Sequence, residues 1–341
     1  MGAVVGLAVG RGTGAELADV FERVLGVLAT GVAVERSPRV YDSYFSLRDN
    51  DSGTPAMRER TLADAGHYER FCRDLAARGA RAVFRTAINA QSLYLVRQRL
   101  RAVKVDEITA GLLVVRDQAQ GFYTGDNEHG PGIITRTTVF RREITREVLS
   151  YAVERARELW PEGPAEIVLA YKFHLLDGEF DRWVREAAAD AGVAVRLCQP
   201  DTVNRDLLER GPVPRTVIVA GNEWGDIMHV LLLDRYGSRR QEESCTENVY
   251  LHPDVAGLTE FQTVHGSADD IAGRGLVNPT ATVRAAAAVA RQVGCAGAVV
   301  AVERALAAVA DEGIATPDRG GRHTTTEVVD ALIASPDLLH A

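Results

Sequence analysis

The stretch V-H-G-S-A-D-D-I-A-G-R-G-L-V-N-P-T-A-T-V (264–283) gathers residues that suit a ligand-binding loop. It combines His265, the acids Asp269 and Asp270, and Asn278 before a proline-initiated helix. Its small residues let a ligand approach the backbone closely. A second stretch, N-E-W-G-D-I-M-H-V (222–230), offers a different chemistry. Asp226 follows Gly221 and Gly225, where a helix is expected to begin. An acid there either caps free backbone N–H groups or serves as one of several carboxylates around a divalent cation. A helical metal pair would place its second acid four residues on, and that position is Val230. Lys172 ends an apolar run, where a lysine costs desolvation unless paired. Arg116 and Tyr123 stand seven residues apart, and an arginine fork suits a planar carboxylate. A strand-end arginine and a core tyrosine are the plainer alternative.

Apolar runs of strand length at 3–9, 32–36, 81–86, 102–105, 112–117, 134–140, 165–172, 193–199 and 215–221 alternate with helical patterns. The helices are expected over 14–30, 67–79, 90–100, 142–160, 179–192 and 203–211, with three more at 279–293, 296–311 and 324–334. This alternation predicts an α/β protein with a largely parallel sheet. Two stretches, 42–57 and 237–261, read as long loops or insertions. At the first turn, Gly10, Gly12 and Gly14 follow a strand, and Glu35 ends the next strand. That arrangement is close to a Rossmann pyrophosphate turn, but G-x-G-x-G is not G-x-G-x-x-G, and any tight strand-to-helix turn needs glycine. The fold expected is therefore not Rossmann.

The chain has 341 residues, 46% apolar and 25% charged, with a net charge of −8. The length allows two domains or one two-lobed unit. The negative balance argues against a general nucleic-acid or membrane role. Cys72, Cys198, Cys245 and Cys295 are scattered, so reduced thiols in a cytoplasmic protein are expected. The opening M-G-A-V-V-G-L-A-V reads as a first strand and not a signal peptide.

The 265–279 segment resembles the adenosine-binding loop of the NAD-dependent β-decarboxylating dehydrogenases, the isocitrate/isopropylmalate dehydrogenase family. The family pattern is H-G-S-A-P-D-I-A-G-K-G-x-x-N-P. Here Asp269 replaces the proline and Arg274 the lysine. The resemblance implies that His265 packs on adenine and that Asn278 bonds its edge. Gly266, Ser267, Ala268 and Ile271 would line the cofactor. Asp270 would take the ribose hydroxyls, which favours NAD over a 2′-phosphate. The G-R-G-T-G-A-E-L turn (10–17) and the C-terminal T-P-D-R-G-G…T-T-E (316–327) are similar to other family segments.

The same resemblance assigns the chemistry. V-R-D-Q-A-Q-G-F-Y-T-G (115–125) resembles V-R-E-x-T-x-x-x-Y-x-G, which implies that Arg116 binds a substrate carboxylate and that Tyr123 is the general acid. Lys172 matches the lysine that handles the hydroxyl proton, usually from the other subunit; Tyr171 replaces the family histidine and His174 the asparagine. L-R-A-V-K (100–104) resembles L-R-P-V-K and offers Arg101 as a carboxylate binder, with Arg97 one turn before it and Ser92 in place of a serine that touches the substrate's variable arm. The family holds Mg²⁺ or Mn²⁺ with two aspartates in G-D-x-x-S-D and a third from the partner. Asp226 matches the first, His229 replaces the serine, and Val230 replaces the second aspartate. The partner's acid falls at Thr202, with Asp201 beside it.

The expectation is an isopropylmalate dehydrogenase-like fold with two lobes, a long mixed sheet and an active cleft between the lobes. Residues 1–105 plus 241–341 would bind the cofactor, and 106–240 would bind substrate and form a homodimer. The expected activity is NAD-dependent oxidation of a malate-type 2-hydroxy acid, a small carboxylate, with decarboxylation. Val230 keeps two alternatives open: a non-catalytic paralogue that binds nucleotide or substrate, and a metal-independent dehydrogenase of 2-hydroxy acids or sugar acids.

Overall fold

The computed structural model describes residues 3–42, 54–237, 241–264 and 266–339. The elements begin with β1 (Val4–Gly10), α1 (Gly14–Leu28), β2 (Ala33–Tyr41), α2 (Thr54–Ala77), β3 (Ala82–Arg85) and α3 (Ala90–Arg99). Next come β4 (Ala102–Thr109), β5 (Leu112–Asp117), β6 (Asp126–Gly130), β7 (Ile133–Thr137), α4 (Arg142–Leu159) and β8 (Glu166–Ala170). They are followed by α5 (Glu179–Ala191), β9 (Arg196–Cys198), α6 (Pro200–Arg210), β10 (Thr216–Ala220) and α7 (Asn222–Tyr236). The chain closes with β11 (Cys245–Tyr250), β12 (Thr259–Thr263), α8 (Thr280–Gln292), α9 (Ala298–Asp311), α10 (Thr325–Ala334) and α11 (Pro336–Leu339).

Two compact units result. The first comprises Met1–Val96, Gln241–Asn248 and Pro253–Ala341; the second comprises Arg97–Arg240 and Val249–His252. In the first unit the strand order is β2-β1-β3-β12-β11. β1 runs parallel to β2 and β3, and β3 to β12. Its core joins Val5, Leu7 and Phe84 to Phe21 of α1, Val283 of α8, Val302 of α9 and Val329 of α10.

In the second unit the order is β4-β5-β10-β8-β9. β5, β10, β8 and β9 are parallel, and β4 runs antiparallel to β5. Both faces are covered. Val103, Val105, Leu113, Val115, Val217 and Val219 pack under α4 and α5. The alternate residues Leu112, Val114, Val168 and Ile218 pack under α6 and α7, against Val203, Met228 and Leu232. Side chains two apart share a face. Lys104, Asp106 and Arg116 therefore belong to the α7 side, and Asp117 to the α4 side.

Several elements differ from the sequence reading. The strand expected at 134–140 is present as β7, ending at Thr137, but it pairs with an unexpected β6 in a mostly exposed hairpin. Asp126, Asn127 and Gly130 are poor strand formers, which hides β6 from a propensity reading. Part of the presumed loop at 237–261 holds β11 and β12; Thr259–Thr263 is buried throughout, but its Thr, Glu and Gln side chains break the apolar signal. Of the other presumed loop, 43–53 lies outside the described residues, and α2 begins at Thr54. Most relevant here, α7 begins at Asn222. Asp226 thus sits one turn inside the helix and is not its cap.

Asp117, at the end of β5, fixes the turn that carries Tyr123. Its Oδ1 accepts from the backbone N–H of Ala119 (3.0 Å) and Gln120 (3.3 Å). Its Oδ2 accepts from Gln120 Nε2 (3.0 Å) and the Tyr171 hydroxyl (3.2 Å). Burial pushes the Asp117 carboxyl up to about 6, against the pull of these hydrogen bonds. A raised acid binds its proton more tightly folded than unfolded, so its effect on stability is a loss as pH rises from about 4 to about 6. Asp117→Asn removes that titration. Relative to wild type, the variant is expected to gain on the order of 2–3 kcal/mol between pH 4 and pH 7. Urea unfolding at the two pH values measures this, and a difference independent of pH contradicts it.

Candidate active site

One stripe of α7 faces the sheet of the second unit. Asn222, Asp226, His229 and Leu233 follow each other at helical spacing. The first three meet polar groups of β4 and β5, and the last enters the apolar core. Gly225 lets this happen. A Cβ there would lie 2.9 Å from Arg116 Cγ, so the arginine stem needs the glycine.

Arg116 is buried, with 5% of its side chain exposed. Its Nε and Nη2 both donate to Asn222 Oδ1, at 3.0 and 2.8 Å, and its Nη1 donates to Asp226 Oδ1. Asn222 is locked in turn, because its Nδ2 donates to the Gln120 carbonyl at 3.2 Å. The Tyr123 hydroxyl donates to Asp226 Oδ2 at 3.2 Å, and the Tyr123 ring lies 5.5 Å from the guanidinium carbon. The structure thus brings together three of the sequence-derived site residues, Arg116, Tyr123 and Asp226. N–H groups on both terminal nitrogens of Arg116 remain unspent by these bonds.

Behind them is a cluster that the sequence did not single out. Lys104 is the direct cross-strand partner of Arg116 on β4. Its Nζ lies 3.2 Å from His229 Nδ1 and 3.8 Å from Asp106 Oδ2. His229 Nε2 is 3.2 Å from the same Asp106 oxygen, within ion-pair range but off the line of a hydrogen bond. All three side chains are at least nine-tenths buried. Burial pushes the Lys104 ammonium down to about 8, with Asp106 opposing and Arg116 assisting. Burial also works to raise Asp106, but Lys104 and His229 outweigh it and hold the carboxyl below its usual range. The period-2 placement of Lys104, Asp106 and Arg116, read with His229 three residues after Asp226, was the available signal.

Lys172 and Asp201 form a separate exposed pair. Lys172 Nζ donates to Asp201 Oδ1 at 2.8 Å and to Gln199 Oε1 at 3.3 Å. The hydrogen bond from Lys172 holds Asp201 below its ordinary carboxylate range. Arg101, with φ 52°, turns to Glu147 (2.6 Å) and Glu143 (3.1 Å) on α4. Arg97 is buried in the second unit, and its charge lowers Lys104. Ser92 is buried in the first unit; its hydroxyl donates to the Thr61 carbonyl at 3.1 Å and accepts from Asn89 at 3.3 Å.

The 264–283 segment, where a nucleotide was expected, belongs to the first unit, and His265 lies outside the described residues. The β1 turn docks onto this loop. Thr13 donates from its N–H (2.9 Å) and its hydroxyl (3.1 Å) to the Ser267 carbonyl. Gly12 has φ 72°, and a Cβ there would come within 2.3 Å of the same oxygen. Asn278 is fixed by Asp318 (2.9 Å) and by the N–H of Thr280 (3.0 Å), while Thr325 donates to the carbonyls of Gly275 and Val277. So the 316–327 segment braces the loop. Gly266 and Asp270 are exposed, and Ser267, Ala268 and Ile271 are half-buried, an open ledge with an acid at its rim. These residues fit a dinucleotide.

The fit to Mg²⁺ or Mn²⁺ is poor. Such cations take several oxygen ligands at once. Both Asp226 oxygens already accept from Arg116 and Tyr123. Val230 brings no donor, and Asp201 is held by Lys172. Among the described residues no three His, Cys, Asp or Glu side chains converge as a cation would need.

A family model for isocitrate/isopropylmalate dehydrogenase matches residues 75–332. A 3-isopropylmalate/3-methylmalate dehydrogenase of Methanocaldococcus jannaschii is 30% identical over 224 residues, covering 64% of this chain and 65% of that protein. A probable tartrate dehydrogenase/decarboxylase of Bacillus subtilis is 28% identical over 229 residues, covering 64% and 62%. The chain thus spans just under two thirds of the length of these relatives. The crystal structure of isocitrate dehydrogenase from Methylococcus capsulatus superposes with a TM-score of 0.68 at 21% identity, over 99% of both chains, a likeness of fold. With its fold and residues 75–332 accounted for in this way, the chain belongs to the isocitrate/isopropylmalate dehydrogenase family.

Proposed function

We propose that the chain is an NAD-dependent oxidoreductase that oxidises the C2 hydroxyl of a malate-type 2-hydroxy acid, with decarboxylation where the neighbouring carbon carries a carboxylate. The observation that carries this reading is Arg116 held against Tyr123 by Asp226 and Asn222, a carboxylate fork beside a phenol. The relatives named for isopropylmalate, methylmalate and tartrate all act on acids of that shape. The cofactor would rest on Gly266, Ser267, Ala268, Asp270 and Ile271, with Asn278 at the adenine edge. Bound there, NAD supplies the hydride acceptor. The carboxylate of Asp270 would meet the ribose hydroxyls and repel a 2′-phosphate.

Arg116 binds the substrate carboxylate through the unspent N–H groups of its terminal nitrogens. Its rigid seat on Asn222 fixes the carbon chain, because the fork has one plane. Asp226 accepts from the Tyr123 hydroxyl and so keeps that proton on the phenol oxygen, from which it is delivered to the enol carbon. Lys172 takes the proton of the C2 hydroxyl in the neighbouring protomer's site. Lys172 donates to Asp201, so it has to leave that bond to act as a base. A homodimer, in the cytoplasm, completes the reading. Its support is the outer face of α7, where Ile227 and Leu231 are exposed.

Purified protein with NAD and a panel of malate, tartrate, isopropylmalate and isocitrate is expected to yield NADH with at least one acid. NAD binding without NADH from any of them would point to the non-catalytic alternative that Val230 leaves open. On the productive acid, Tyr123→Phe is expected to lower kcat by about 10²- to 10⁴-fold with NAD affinity unchanged. An unaltered kcat removes Tyr123 from the acid role. Asp270→Ala is expected to raise KM for NAD and to narrow the preference over NADP, as initial rates with the two cofactors will tell.

A further inference from the structure

Both oxygen atoms that a divalent cation would need at Asp226 are engaged by the protein itself, one by a guanidinium and one by a phenol. Asp226 Oδ1 accepts from Arg116, and Asp226 Oδ2 from Tyr123. Arg116 is not a loose surface arginine that happens to lean on an acid. It is buried, its stem passes over Gly225, and two of its nitrogens are fixed by one Asn222 oxygen. A guanidinium in such surroundings needs a carboxylate nearby, because an unpaired buried charge is costly.

A second cation backs the first. Lys104 lies directly across the β4/β5 pair from Arg116, on the same face of the sheet. It has 5% of its side chain exposed. His229, at 3.2 Å, and Asp106, at 3.8 Å, are its close partners. His229 occupies the stripe of α7 between Asp226 and Leu233. One turn beyond Asp226 the helix offers Val230, with no lone pair. A divalent ion at Asp226 would thus meet one carboxylate, already paired, with two protein cations close by. Like charges brought close together repel.

We propose that Arg116, backed by Lys104, is the built-in counter-charge of Asp226 and stands where a divalent cation would otherwise be bound. Asp226 is then a positioning residue for Arg116 and Tyr123 and not a metal ligand. This deepens the functional reading given above and rests on it for the reaction, but the arrangement of charges is testable without turnover.

The experiment is a Mn²⁺ titration of the full-length protein with NAD and malate present, followed by the electron-paramagnetic signal of free Mn²⁺. No loss of signal is expected as protein is added. Loss of an equivalent of free Mn²⁺ per protomer, abolished by Asp226→Asn, overturns the proposal. Asp226→Ser is the second variant should the first fail to fold. Binding that survives both substitutions places the ion elsewhere and leaves the proposal standing. Absence of NADH formation with every acid would remove the functional reading alone, since the Mn²⁺ signal is read independently of it.

Discussion

The second unit is organised around a buried guanidinium. Arg116, next to last in β5, holds its charge inside the protein, and such a charge needs fixed polar and acidic partners. That requirement fixes what surrounds it. A helix must begin beside it with a polar residue, hence Asn222. The helix must approach closely, hence Gly225. An acid must follow one turn later, hence Asp226. The same Asn222 reaches back to the Gln120 carbonyl and so ties α7 to the turn carrying Tyr123. One arginine thereby sets the relation of a strand, a helix and a phenol. Each of these would have other arrangements open to it alone.

Alternation along the strands separates two polar systems that would otherwise interfere. Arg116 points to the α7 side and joins Lys104 and Asp106. Asp117, the next residue, points to the α4 side and joins Tyr171 and Gln120. The first system carries the positive charge of the site. The second shapes the loop that carries Tyr123, through the backbone N–H groups of Ala119 and Gln120. Tyr171 thus has a structural task where the family places a histidine. Its hydroxyl completes the ring of donors around a carboxylate that burial has made reluctant to ionise.

Much of this was legible in the sequence, and the gaps have physical causes. Strands rich in Val, Ile and Leu were evident, because central parallel strands are buried on both faces. β6 and β12 were not, since Asp-Asn-Glu-His-Gly and Thr-Glu-Phe-Gln-Thr carry no apolar alternation. The start of α7 was misplaced because Gly225 reads as a turn. Its real reason, the passage of the Arg116 stem, is a tertiary contact that no local pattern contains. Arg116, Tyr123 and Asp226 were nameable from motif spacing. The Lys104–Asp106–His229 cluster was not named, because its members lie on two elements 125 residues apart in sequence and match no motif together.

His229 is intelligible only with that cluster. A small side chain in its place would leave Lys104 with Asp106 at 3.8 Å as its close partner, in a site with almost no exposure to water. The imidazole supplies the nearer contact, from Nδ1, and brings its other nitrogen to the same acid. A metal site needs the reverse of this: oxygen donors turned toward one point and few fixed positive charges around it. The two requirements pull the same helix face in opposite directions. His229 and Val230 both fall on the side of the protein cations, so the departures from G-D-x-x-S-D are coherent with each other and with the bond between Arg116 and Asp226.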